Sequence, residues 1–520
     1  MLTKVLLKSI INACLKRDSP FGDKGGQMNW TYEQSKAIET RNKNILVAAA
    51  AGSGKTAVLV ERIIRFILEE HIDLDKLLVV TFTNAAASQM REKILEAIYK
   101  KLEEDPENQE LQRQIVLMNK ASISTIHSFC LEVIRNYFYE IDISANFRIG
   151  DSAEIELLKQ DAILELFEEK YEAQDEKFQK LLDCYTDYHG DEQLQEIVLK
   201  TYEFIQSSPF PEEWLEKATN SFNREGKIEE DFANTIWGKI LLESYIEELK
   251  KYRLEYMIMK QNLSRHPEAY EAYKTLCQDI DTISNMIEHS TTWKNAANAA
   301  YIAEFPKWKT DKKADLSIQE QTKEKRTKVN RALKEYVKAF FTFDSKQANE
   351  DINQMYPVLK ALSELIVEFT DKYARKKKEK NLIDFSDIEH MALKILVKKN
   401  ENGEYEKTEV AKAYTEKFVA IAIDEYQDSN LIQEYILTTI SRGNNIFMVG
   451  DVKQSIYKFR QARPELFLEK YDTYPKVEVA NGSVAKIQLF KNFRSRKNIL
   501  NITNLVFESI MTRALRRCGI

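Results

Sequence analysis

Four stretches of the chain carry side chains able to do chemistry together. Asn44–Thr56 reads NILVAAAAGSGKT: an apolar run, Ile45–Ala51, then Gly52-Ser53-Gly54, then Lys55 and Thr56. Glycines let backbone amides turn inward on an anion with no Cβ in the way. A helix starting there aims its positive dipole end at the same spot. Strand, glycine turn, Lys-Thr and helix together form a phosphate-cradling loop, Ala49–Thr56, with Lys55 reaching the outer phosphates and Thr56 placed to hold Mg²⁺. The pattern departs from the usual one at Ala49, where a glycine is customary. The second stretch is Asp424-Glu425 after the apolar FVAIAI. Acids alone there could be a strand-end turn. Beside a phosphate loop they suit a Mg²⁺ ligand (Asp424) and a base that orients water (Glu425). The third is Gln454 in VGDVKQSIYKFR, placed to sense a γ-phosphate. In the fourth, Tyr457 and Phe459 alternate with Lys458 and Arg460. Such a stretch is either core plus surface or a platform on which unpaired bases stack while cations meet phosphates.

The elements that must position these groups alternate. Ile45–Ala51, Leu77–Thr83 and Ser122–Ser128 are of strand length, with helical patterns between them. Strands spaced by helices predict βαβ units and a parallel sheet. From Asp151 helical periodicity takes over, opened by DSAE as a capping box of Asp151 and Glu154. Two basic runs lie in this part, Lys323–Lys338 and Lys372–Lys380. They are read as solvated helix faces or, alternatively, as a nucleic-acid surface. The α/β pattern resumes near Leu382, with strands at Phe418–Asp424, Ile446–Asp451 and Lys486–Phe490. The expected fold is therefore an α/β domain with a parallel sheet, interrupted by a large all-helical insertion. The expected segments are 1–27 (an extension, disordered or helical), 28–150 and 386–480 (the α/β domain), 151–385 (the insertion) and 481–520 (the opening of a second domain).

Composition sets bounds around this reading. The 520 residues allow more than one domain, and 14 Gly and 9 Pro are few enough to favour long helices. The five cysteines form no CxxC, which points away from a zinc site and towards a reducing compartment. A net charge of −6 neither supports nor excludes nucleic acid, since binding needs a basic groove rather than a basic protein. No apolar run reaches the roughly 18 residues of a membrane span. The start, MLTKVLLKSIINACLKR, is broken by Lys8 and lacks a small-residue cleavage site, so it does not read as a signal peptide.

Taken in order, WTYEQ (30–34), AAAGSGKT (49–56), TFTNAAASQM (81–90), STIHSF (124–129), IDEYQDSN (423–430), VGDVKQSIYKFR (449–460) and NFRSR (492–496) resemble the UvrD-like superfamily 1 helicases. Among them the set is most similar to the helicase–nuclease subunits of the AddA group, counterparts of RecB, and NLIDFSDIEH (381–390) also looks AddA-like. The resemblance implies RecA-like domains that clamp ATP and Mg²⁺ while single-stranded DNA crosses above. Carried over, it makes Gln34 an adenine reader. Ala49, Ala50, Ala51, Gly52, Ser53, Gly54, Lys55 and Thr56 become the nucleotide loop. Asp424 and Glu425 become Mg²⁺ ligand and base, Gln454 and Arg494 contacts to the γ-phosphate, and Phe493 a stacking partner for adenine. Phe82, Thr83, Asn84, His127, Tyr457 and Phe459 lie along the DNA.

The resemblance further implies a cytoplasmic, nucleoid-associated bacterial enzyme that resects DNA ends for recombinational repair, with 3′→5′ polarity and an AddB-type partner subunit. Two departures stand out. Ala57 replaces an arginine that stacks on the base in many relatives, and the family's motifs V and VI, second phosphate-contacting arginine and nuclease domain are absent from these 520 residues. The chain therefore reads as the amino-terminal part of such an enzyme, expected to turn over ATP weakly alone. The alternatives are a UvrD- or Rep-like repair helicase without a nuclease, and an inactive DNA-binding fragment.

Overall fold

A computed structural model describes residues 30–186, 190–312 and 314–510, so the expected extension at 1–27 and the tail ALRRCGI lie outside the described residues. The strands in chain order are β1 (Asn44–Ala49), β2 (Leu77–Thr81), β3 (Ser122–Thr125), β4 (Arg148–Ile149), β5 (Leu382–Ile383), β6 (Val397–Lys399), β7 (Tyr405–Lys407), β8 (Ala420–Ile423), β9 (Ile446–Gly450) and β10 (Val484–Leu489). Six of them form one sheet, ordered β10-β1-β9-β8-β2-β3, and every pairing in it is parallel. The α/β fold with a parallel sheet is thus as the sequence predicts.

Parallel sheets are covered on both faces, so their strands are apolar throughout and alternate residues serve two cores. Leu46, Leu78, Val80, Ile421, Ile423 and Met448 enter one core, against the helices Ile126–Tyr137, Phe385–Leu396 and Leu431–Thr439. Ile45, Val47, Leu77, Val79, Phe447 and Val449 enter the other, against Lys55–Glu70 and Asn84–Glu104. In the second core the buried Arg62 donates to the carbonyls of Ala37 (2.7 Å) and Ile38 (3.2 Å). It thereby ties the helix Tyr32–Glu39 to the helix after the glycine loop. Register brings the strand ends level: Ala49 faces Leu489, Ala48 faces Gly450, Val80 faces Ile423 and Thr81 faces Thr125.

The chain divides into two compact units, one of residues up to 163, 202–211 and from 371 onward, the other of 164–201 and 212–370. The second is helical. Its core centres on Trp293, whose ring stacks on Phe343 at 5.3 Å and meets Phe232 edge-on at 5.0 Å. A buried pair, Arg326 and Asp279, joins two of its helices through bonds of 2.6 and 2.8 Å.

Several expectations are corrected here. Residues 484–489 do not open a separate domain; β10 pairs with β1 along its whole length as the edge of the first sheet. The helical stretch is not one block, because 202–211 belong with the sheet. Phe210 stacks on Tyr405 at 3.7 Å, Tyr202 meets Tyr373 edge-on, and His390 Nε2 donates to the Gln206 carbonyl at 3.0 Å. At Asp151 only half of the capping box forms. Its Oδ1 accepts from the amides of Ala153 and Glu154, but the Glu154 carboxylate turns to Arg148 in a two-point pair of 2.7 Å each. The basic runs are partly internal. Arg326 is the buried partner of Asp279, and Lys377 is buried between Asp384 (2.9 Å) and Asp387 (2.6 Å).

His390 is largely buried, and desolvation pushes its imidazole down to about 4. A histidine whose folded value lies below its unfolded value of about 6.5 adds stability above that pH, and loses it as pH falls toward the folded value. Urea unfolding of the wild type should therefore lose about 2 kcal/mol between pH 7.5 and 5 from this group, a loss that His390→Gln removes.

Candidate functional site: a nucleotide pocket beside an aromatic platform

The glycine loop leaves the sheet between β1 and the helix Lys55–Glu70. Gly52 and Gly54 hold φ of +71° and +85°, a region that costs a side-chain residue energy. The carbonyls of Ala51, Gly52 and Ser53 are each taken by donors from outside the loop: Asn492 Nδ2 (2.6 Å), the Phe493 amide (2.8 Å) and Gln34 Nε2 (3.0 Å). Pinning the carbonyls outward fixes the peptide planes. The helix then starts at Lys55 with no side-chain cap, which leaves its first amides for an anion. Ser53 Oγ is buried without a hydrogen-bond partner, as a hydroxyl facing an anion site would be. Thr56 is the second residue of the helix, and Ala50 and Ala51 lie in the loop. Ala49 is different: it is the last residue of β1, 2% exposed and packed in the core, so the structure sets it behind the loop.

Across the sheet edge, Lys55 Nζ lies 3.0 Å from Glu425 Oε2. Glu425 sits in the left-handed region at φ +52°, which turns the chain sharply after β8 and sends its carboxylate back toward Lys55. Burial and the neighbouring Glu425 raise the Asp424 carboxyl above the usual carboxylate range. Asp428 is pushed up to about 6 by the same two causes, and its Oδ1 is buried without a partner. The strand ends therefore hold carboxyls short of positive charge. Among the described residues no group of three His, Cys, Asp or Glu could cage a metal alone. Mg²⁺ does not require one, since beside a nucleotide it takes one or two protein oxygens and completes its shell with phosphates and water. Thr56 and Asp424 fit that donor set.

The base side of the pocket is a cavity of about 200 Å³ lined by Gln34, Ser53, Leu489, Phe490 and Phe493. Gln34 is already engaged. Its Oε1 accepts from the Thr31 amide (3.0 Å) in a complete capping box, and its Nε2 staples the loop at Ser53. Arg494 follows Phe493 with an exposed side chain, and its amide bonds Asn492 Oδ1 at 2.9 Å. The whole NFRSR segment thus crosses over the glycine loop. Gln454 is exposed and donates to Asp451 Oδ2 at 2.7 Å.

The residues expected along DNA gather at the ends of β2, β3 and β9. Phe82 and Tyr457 have ring centroids 4.6 Å apart, and Tyr457 lies 5.8 Å from Phe459. The Arg460 guanidinium sits 5.5–5.9 Å from all three rings. Phe459 is 76% exposed, so these rings form a platform rather than core. Thr83 caps the helix Asn84–Glu104 through the Ala86 amide, leaving Asn84 exposed at its first turn. His127 Nε2 lies 3.4 Å from Glu389 Oε1, and its ring meets Phe385 edge-on at 5.9 Å. All of these face a cavity of about 840 Å³. Phe385 and Glu389 are the residues that sequence reasoning missed. They stand in NLIDFSDIEH, where the signal was a half-exposed aromatic and an acid one helical turn apart.

A glycine loop at the carboxyl edge of a parallel sheet, with acids at the next strand ends, defines a P-loop nucleotide-binding domain. Residues 30–475 match the UvrD/REP helicase N-terminal domain, and the chain belongs to that family. It is 45% identical over 93% of its length to the ATP-dependent helicase/nuclease subunit (AddA) of Acetivibrio thermocellus. The proteins of that name from Clostridium beijerinckii and Clostridioides difficile share 43% over 94% and 44% over 93% of this chain. The chain spans 38–40% of the length of these three relatives.

At Gly52 an added Cβ would lie 2.8 Å from Asn492 Nδ2 and 2.9 Å from Arg494 Cβ, on a backbone that disfavours any side chain. Gly52→Ala should weaken a fluorescent ATP analogue at least about tenfold, the effect of about 1.4 kcal/mol. Gly482→Ala, where a Cβ meets nothing within 4 Å, should bind like wild type.

Proposed function

We propose that this chain is the ATP-binding, DNA-tracking part of a helicase–nuclease subunit of the AddA type, which acts on DNA ends with a second subunit. The observation that carries the reading is that the nucleotide wall and the aromatic platform leave the same sheet edge and share β9. Gly450 ends that strand beside the acids, and the residues that follow lead directly to Tyr457, Phe459 and Arg460. The similarity to AddA helicase/nuclease proteins along nearly the whole chain, the helical unit included, favours this over a helicase without a nuclease.

In this mechanism the loop amides and Lys55 bind the triphosphate, which draws Lys55 off Glu425. Glu425, freed, orients the attacking water and accepts its proton. Mg²⁺, held by Thr56 and Asp424, neutralises charge on the phosphates. Gln454 and Arg494 contact the γ-phosphate side, and the Phe493 pocket takes the base. On the platform, bases stack on Phe82, Tyr457 and Phe459, and Arg460 adds a cation over the rings.

Two binding measurements test this. Lys55→Ala should weaken the Mg²⁺-dependent ATP analogue tenfold or more, by the loss of about 1.5–3 kcal/mol from a charge-assisted contact. Phe459→Ala should weaken a fluorescein-labelled oligothymidylate by about 1–3 kcal/mol in anisotropy while leaving analogue binding intact. Oligonucleotide binding unmoved by Phe459→Ala and by Tyr457→Ala would refute the platform.

A further inference from the structure

Gln427 lies two residues beyond Glu425, and no role falls to it in the mechanism above. It is 1% exposed, and its side chain crosses from the end of β8 to the end of β9. There its Oε1 accepts the Asp451 amide at 2.9 Å. Its Nε2 donates to Glu425 Oε2 at 2.9 Å and to Asp428 Oδ2 at 3.2 Å. Glu425 Oε2 is the same oxygen that Lys55 holds at 3.0 Å. A second thread runs alongside, since Ser455 Oγ reaches the Gln427 carbonyl at 3.5 Å. The fit is tight: a Cβ on Gly450 would lie 2.4 Å from Gln427 Oε1, so β9 ends in a residue with no side chain where the amide passes.

We propose that Gln427 is a positioning residue that couples the nucleotide site to the DNA platform, by joining the Lys55–Glu425 pair to the Asp451–Arg460 segment through one rigid amide. The inference rests on the proposed reading that this chain binds a nucleotide and single-stranded DNA. A carboxamide carries a donor and an acceptor on one plane, so neither end moves without the other. When a triphosphate takes Lys55, Glu425 Oε2 loses one of its two donors and the carboxylate is free to turn. Gln427 Nε2 follows it, and Oε1 then shifts against the Asp451 amide. Asp451 opens the turn that holds Gln454, and Tyr457, Phe459 and Arg460 come directly after. No other side-chain type than an amide supplies both bonds. Glutamate keeps the acceptor for Asp451 but adds a third negative charge beside Glu425 and Asp428; methionine keeps the shape and loses both bonds.

The test is the ratio of oligothymidylate dissociation constants measured by anisotropy without nucleotide and with saturating Mg²⁺ and a non-hydrolysable ATP analogue. Coupling between sites is commonly about fivefold or more, and the wild-type ratio should reach that. In Gln427→Met and Gln427→Glu the ratio should fall to within about twofold of one. Gly450→Ala, which pushes on the amide from the other strand, should do the same. A residue that merely packs would lower both affinities and leave the ratio alone. Wild-type-like ratios in folded Met and Glu variants would overturn the inference, as would a wild-type ratio near one with both ligands bound. A wild type that binds neither ligand would instead overturn the proposed function. If the variants do not fold, hydrogen exchange in the wild type decides. Protection of the 451–454 amides should change when the analogue binds, and unchanged protection overturns the coupling.

Discussion

At the carboxyl edge of the sheet, Lys55 meets more acid than one ammonium can balance. It pairs with Glu425, while Asp424 and Asp428 stand close enough to that carboxylate, and deep enough, for both to be held above the usual range. Buried like charges are tolerated where a cation or polyvalent ligand completes the balance. The rest of the architecture serves that cluster. The strands bring its members level, the glycine loop turns amides toward it, and the NFRSR crossing holds the loop's carbonyls away from it.

Lys55 and Glu425 are 370 positions apart, and strand order is what joins them. β1 and β2 follow each other in the chain but do not pair; β9 and β8 lie between them. The sheet therefore cannot close until the residues after the helical unit have returned to its centre. That return is stitched at its root, where β4 pairs with β5 and Lys377 bonds both acids of the Asp384–Asp387 capping box. Leaving either acid unpaired there would strand a buried charge, a fault that usually costs about 3–5 kcal/mol. The lysine that looked like part of a basic surface thus helps hold the two halves of the sheet in register.

What was legible in the sequence was local. The glycine loop, the strand-end acids and the alternating rings and cations are fixed by residue type and spacing within a few positions, and each lies on the element expected. What was not legible depended on partners far along the chain. Nothing in KIQLF says that this strand pairs with β1 rather than beginning a new sheet; that is decided by the apolar Ile487 and Leu489 meeting the second core. DSAE carries a capping pattern, but Arg148 competes for the Glu154 carboxylate with two charged bonds against one amide. Gln34 reads as a free base-recognising amide until Thr31 and Ser53 take both its ends. Phe385 and Glu389 were invisible as site residues because the cavity they line is completed by β2, β3 and β9.

Backbone strain is distributed over the site in a way that follows from these tasks. Gly52 and Gly54 occupy positive φ at little cost, as residues without a Cβ can. Glu425 occupies it with a full side chain, at a cost of order 1–3 kcal/mol. A glycine would remove that strain and with it the carboxylate, so the position cannot be relaxed without losing the pair. The left-handed turn does two things at once. It bends the Glu425 carboxylate back to Lys55 instead of letting it run on along β8, and it brings Gln427 under the end of β9. Lys55 and Gln427, both bonded to Glu425 Oε2, are what hold the turn in place. The strained residue is therefore the point at which nucleotide contact and strand-to-strand contact share one oxygen, and a ligand that removes Lys55 changes the forces on the turn itself.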